Sequence, residues 1–246
     1  MALNIFRTAE EQAPQGRKQF EDIVGSFRAG YAENGVPKSL DEWRVTTGDP
    51  EVADAIHALL GGEPPAEWET KSEESLEVYT AAKSVIVVLD GPKAVRQRFI
   101  QRNRNHEIVY TSDGAMKDDG ERDPHASLTL DERLKLASDG LGPALETTIY
   151  FRLDDSMGDV TLGGSPAHAG DIGKFRYSST GKSIGKQVDR DQIEQQIIDM
   201  MEDNDGAPVR AKLEIEHVSF TAKTGPRAGK LVEYNTAKIK ILGPVK

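Results

Sequence analysis

The apolar positions of EWRVTTGDPEVADAIHALLGG (42–62) change period partway through the segment. Trp43 and Val45 follow a period of two, so Glu42–Thr47 reads as a strand. Gly48 breaks it, Asp49 stands where an N-cap accepts backbone N–H bonds, Pro50 fits the first helical position, and Glu51 faces the positive end of the dipole. Val52, Ile56 and Leu59 then recur at i, i+4 and i+7, and Gly61-Gly62 end the helix. An anion at that helix start would be repelled by Asp49 and Glu51, so a structural corner is the preferred reading.

The same logic runs along the chain. Residues 1–18, interrupted by Pro14 and Gly16, read as a loose arm. FEDIVGSFRAGY (20–31) reads as a strand bent at Gly25 and Gly30, and ENGVP as a turn. After the polar loop 61–75, LEVYT (76–80) and SVIVVLD (84–90) read as strands, the second central because it is nearly all apolar. PKAVRQRFIQRNRN (92–105) is compatible with a short helix or with sheet, and HEIVYT (106–111) extends a sheet. An acidic loop from 117 leads to a short helix near Asp131–Ala137, and ALETTIYFRLDD (144–155) is a strand. SMGDVTLGGSPAHAGDIGK (156–174) is too irregular to assign and reads as a connection. KFRYSS (174–179) is a strand, DRDQIEQQIIDMMED (189–203) a helix, and 210–225 with 230–242 a hairpin closed by GPRAG.

The fold class expected is α+β, mostly antiparallel β-sheet with a few short helices, because helices are too few and too irregularly placed for a doubly wound fold. The expected division is an arm (1–18), an N-terminal α+β region (19–155), a Gly-rich connection (156–173) and a C-terminal hairpin and helix region (174–246), the last able to form one compact domain with 19–155.

The chain of 246 residues has no cysteine, which removes disulfides, thiolate nucleophiles and cysteine zinc sites. MALNIFRTAEEQ lacks the apolar stretch of a signal peptide, and VIVVL (85–89) is far too short to span a bilayer, so a cytoplasmic location without membrane contact is expected. The net charge of −10 opposes unaided DNA binding. Yet Gly206–Lys246 carries eight basic and three acidic residues, a net of +5, and Lys93–Arg104 holds five basic residues and no acidic one.

STGKS (179–183) lacks the first P-loop glycine, whose position is Arg176, and a P-loop is rejected. The five histidines show no paired metal spacing; His125 near Asp118, Asp119, Glu121 and Asp123 is the one metal candidate, outweighed by a solvated acidic loop. No carboxylate pair or nucleophile motif marks an enzyme, and no cofactor is implied. Binding is left. Lys93, Arg96, Arg98, Arg102 and Arg104 enclose Phe99 and precede His106 and Tyr110, a pattern suited to nucleic acid or an acidic protein surface. A solvated face that balances the acidic loops is the plainer alternative and carries more weight.

Taken together, FEDIVGSFRAGY, EWRVTTGDPEVADAIHALLGG, LEVYTAAKSVIVVLDGPKAVRQR and the SDG turn at 112–114 resemble recombination directionality factors of actinobacterial temperate phages, most strongly over 5–115. The resemblance implies an accessory protein that performs no bond chemistry. Its implied partner is a large serine integrase bound to attachment-site DNA, engaged through its coiled-coil region, in the cytoplasm of the bacterial host. The factor would turn the integrase from joining parental sites to recombining the hybrid sites, with little or no DNA binding of its own. No family motif marks the contacts. The candidates are Lys93, Arg96, Arg98, Phe99, Arg102 and Arg104, with Lys223, Arg227 and Lys230 on the C-terminal hairpin. A nucleic-acid-binding accessory of phage replication is the alternative.

Overall fold

A computed structural model describes residues 22–33, 36–70, 72–105, 107–223 and 228–245. The arm expected at 1–18, His106 and Arg227 lie outside them. The described chain is α+β and mostly antiparallel, with four short helices among its described residues. By its internal contacts it divides into two units, each built from separate stretches of sequence.

The larger unit comprises Asp22–Ala94, Tyr150–Tyr177 and Gln195–Lys246. Strand β1 (Ile23–Glu33) pairs antiparallel with β2 (Val36–Thr47), and its register shifts next to Gly25 and Gly30, the two bends expected from the sequence. Strand β2 begins at residue 36 rather than 42, so the polar stretch before Trp43 extends the ladder. Helix α1 (Pro50–Leu60) follows: Asp49 Oδ1 accepts the Glu51 N–H at 2.9 Å, and Gly61, at φ 66°, ends it. The short β3 (Ala66–Glu67) and β4 (Leu76–Tyr79) precede β5 (Ser84–Leu89). A 3-10 turn at Pro92–Ala94 then leads to β6 (Val95–Arg102) and β7 (Ile108–Ser112), so 92–105 is turn and strand, not helix.

After α2 (Leu130–Ser138), β8 (Ala144–Leu153) contributes residues 150–153 to this unit. The Gly-rich stretch is ordered: β9 (Asp159–Leu162) and β10 (Ser165–His168) form a small hairpin turned by Gly163 and Gly164, at φ 56° and 77°. Positive φ at both central positions is what a tight hairpin turn needs. Strand β11 (Lys174–Ser179) runs parallel to β1. Where one helix was expected over 189–203, two occur: α3 (Lys182–Arg190) and α4 (Ile193–Glu202), separated at Gln192, whose φ of 49° no continuing helix allows. Strands β12 (Val209–Thr221) and β13 (Leu231–Pro244) form the expected long hairpin. The strand order is β13-β12-β5-β8-β11-β1-β2-β4-β3.

Alternation sends Phe27, Trp43, Val45, Phe151 and Phe175 to one side, each at most 1% exposed. Phe27 meets Trp43, Phe151 and Phe175 edge-to-face at 5.8, 5.2 and 5.3 Å. Such pairs contribute about 0.5–1.5 kcal/mol each beyond burial.

The smaller unit contains Val95–Ile149 and Ser178–Glu194. Here β6 pairs with β7 on one side and with the first half of β8 on the other. Phe99, Leu130, Leu134 and Leu145 form its core with Tyr110 against it. A buried Arg133 lies 4.3 Å over the Phe99 ring and 3.1 Å from Asp123. Its other nitrogens donate to the carbonyls of His125 and Gly114 at 3.0 and 2.8 Å.

Candidate functional site

Strand β6 reads VRQRFIQR, and period two divides it cleanly. Val95, Gln97 and Phe99 are buried, and Gln97 donates to Thr147 Oγ1 and the Gly185 carbonyl. Arg96, Arg98 and Ile100 occupy the other face, in register with Thr148, Glu146 and Ala144 of β8. Arg98 forms an ion pair with Asp118, and Arg102 pairs with Glu146 at 3.3 Å. Arg104 is exposed in the turn beyond β6. The structure thus brings Arg96, Arg98 and Arg102 onto one strand and sets acids beside two of them. Phe99 points the opposite way and is 2% exposed, so it belongs to the core and not to the arginine face. Lys93 sits in the 3-10 turn of the larger unit.

The acidic loop is internally matched. Asp123 accepts from the Ser112 hydroxyl and from Arg133, and Lys117 holds both Asp119 and Glu121. Burial would raise the Asp123 pKa, but hydrogen bonds from Ser112 and the His125 backbone, with the nearby Tyr110 hydroxyl and Arg133, together hold it below the usual carboxylate range. Burial first, then the nearby Asp123, pushes the Tyr110 phenol up to about 12. Among the described residues no group of three or more histidine and acidic side chains is placed to hold a metal. In the former P-loop candidate, Ser179 ends β11, Gly181 is the N-cap of α3 and Lys182 donates to Ser138. His168, for which the sequence shows no partner, is 2.9 Å from Asp159, which raises its pKa.

Lys223 and Lys230 stand exposed at the open end of the β12–β13 hairpin. The ladder from β12 to β5 ends at Glu214↔Ser84, with one further bond from Ile215 N to Lys83 O, whereas its ladder with β13 continues to Thr221↔Leu231. The distal part, from Glu216 to Thr221 of β12, is therefore a two-stranded ribbon, tied at its flank by Asn235, which donates to Leu40 O at 3.0 Å and Asp41 Oδ1 at 2.8 Å. Phe220 and Tyr234 meet there edge-to-face at 6.4 Å, 47% and 36% exposed.

Sequence reasoning did not find the third cluster. On the outer face of the larger unit, Glu74 accepts from the hydroxyls of Ser26 (2.7 Å) and Thr46 (2.6 Å) and from Arg28 and Arg176 (3.0 Å each). Trp68 donates its indole N–H to the Glu74 carbonyl and lies 4.4 Å from the Arg44 guanidinium. Burial would raise the Glu74 pKa, but the two hydroxyls and two cations outweigh it and lower it. The alternation of Ser26 with Arg28 and of Arg44 with Thr46 was a signal for a polar outer face. That loop 61–75 would meet it was not legible, because the partners are 28 to 102 residues away.

In the larger unit one face of the sheet is aromatic core, and the other carries the Glu74, Arg28 and Arg176 cluster. Residues 24–128 match the family model described as Gp3-like, recombination directionality factor-like. That span runs from β1 through β7 into the segment before α2, and the resemblance to phage recombination directionality factors holds across it. These are accessory proteins rather than catalysts. No solved structure matches the chain.

Proposed function

We propose that this chain is a recombination directionality factor that binds a phage large serine integrase on attachment-site DNA and switches it from integration to prophage excision. The observation that carries the reading is the match over residues 24–128. The factor acts by protein contact, through the integrase coiled-coil region, in the cytoplasm of the bacterial host, and breaks no bond itself. The −10 charge supports a protein partner over unaided DNA. Integrase dimers on different sites hold arrangements that permit or forbid synapsis, and a factor that binds one arrangement more tightly raises its population by its differential affinity. A tenfold bias takes about 1.4 kcal/mol, so a modest interface suffices.

The test is in vitro recombination with the integrase of the same phage, on hybrid-site and parental-site substrates, with and without this protein. The expected result is activation of the hybrid-site reaction and suppression of the parental one. No change in either, together with no association of the two proteins, rejects the proposal. A DNA mobility shift without integrase, steeply salt-dependent, would instead support the replication accessory.

A further inference from the structure

The distal β12–β13 ribbon offers a face that the fold itself does not require. Alternation places Val218 and Phe220 on the same side of β12 as Lys212, and the register sets them opposite Tyr234 and Val232 of β13. The two valines are half-buried, while Phe220 and Tyr234 are exposed. Four apolar side chains on a ribbon past the end of the β5 ladder make a compact patch of the kind that marks interaction sites. Lys223 and Lys230 lie at the tip; further along the same face Glu216 is ion-paired with Lys238 and Glu214 with Lys212, and Lys240 stands opposite Lys212.

We infer that this face is the docking surface for an amphipathic helix of the integrase, with the helix's apolar stripe on Phe220 and Tyr234 and its flanking carboxylates on the lysines. The inference rests on the directionality reading above. Charge complementarity selects the occupant: residues 206–246 carry +5 in a chain of −10, so an acidic flank is attracted here and not to the protein at large. Duplex DNA would satisfy the lysines but gains nothing from two valines and a phenylalanine, whereas exposed aromatic anchors are enriched at protein interfaces.

Two variants of the full chain test it against the full-length integrase of the same phage: Phe220→Ser with Tyr234→Ser, and Lys223→Glu with Lys230→Glu. Thermal melting and the far-ultraviolet spectrum establish that each is folded. The aromatic variant is expected to bind at least tenfold more weakly and to lose hybrid-site activation. The charge-reversed variant is expected to associate more slowly at low salt, with the difference shrinking as salt rises. Should the aromatic variant fail to fold, the charge-reversed one decides alone. Wild-type affinity in folded variants overturns this surface and leaves the directionality reading standing. If the wild-type chain neither binds the integrase nor alters either reaction, both fall together. A concentration-dependent dimer abolished by the aromatic variant, or duplex binding without integrase lost in both variants, overturns the helical occupant in favour of a second copy or DNA.

Discussion

Three carboxylates show how single residues decide stability. Glu74, Asp123 and Asp154 are all held below their ordinary pKa despite burial. They bind protons more weakly folded than unfolded, so the stability they contribute is complete above the unfolded carboxylate pKa and is lost as pH falls through the folded values. Asp189, raised by burial and by Asp131, and the exposed His168, raised by Asp159, work in the opposite direction. The urea midpoint is therefore expected to hold from pH 7 to about 5 and to fall steadily below about 4. Asp123→Ala should be far more damaging than its exposed neighbours, because it leaves Arg133 charged and almost fully buried. A loss of about 3–5 kcal/mol is expected by urea denaturation, whereas Asp119→Ala, on an exposed pair with Lys117, should leave the midpoint unchanged.

The elements differ in how far they announce themselves. The strand-to-helix corner was legible because local chemistry decides it: Asp49 caps, Pro50 opens and Gly61 closes α1. Asp49→Ala is accordingly expected to cost about 1 kcal/mol in chemical denaturation. Gly62, at φ 94°, has no room for a side chain, since a Cβ there would lie 2.1 Å from Tyr79 O. Gly62→Ala should lower stability by about 2 kcal/mol, read from the same measurement. Helix α3 was missed because only Ile184 and Val188 give it a large buried apolar side chain, too few to set a period. The α4 periodicity sets no boundary within 189–192, because the break at Gln192 carries no sequence signal. The β9–β10 hairpin did carry one, the Gly163-Gly164 pair, which the surrounding irregular composition obscured. On the candidate surface, alternation in β6 separates Arg96 and Arg98 from Phe99, but only the structure shows Asp118 and Glu146 moderating the strip.

For the whole molecule, charge is distributed rather than uniform, and the arginine strip and the hairpin are separately testable. Under the proposed function, replacing Arg96, Arg98, Arg102 and Arg104 with Ala is expected to weaken integrase binding, measured by titration at low salt. Because Arg98 and Arg102 already have acidic partners, the loss should be smaller than for the hairpin aromatics. Unchanged affinity in a folded quadruple variant would remove the strip from consideration and leave the hairpin.

The ladder between β5 and β12 has a consequence for how the chain is made. Strand β5, apolar in all but Ser84, leaves the ribosome long before Val209–Glu214, the residues that pair with it on one side. Until those emerge, Val85–Leu89 is an aggregation-prone edge with only β8 to pair against. Synthesis speed and chaperone supply would then set the yield of this protein more than the stability of the finished fold. A nascent chain arrested before residue 209 should be cut by protease within the β5 region, and release of residues 209–246 should end that sensitivity.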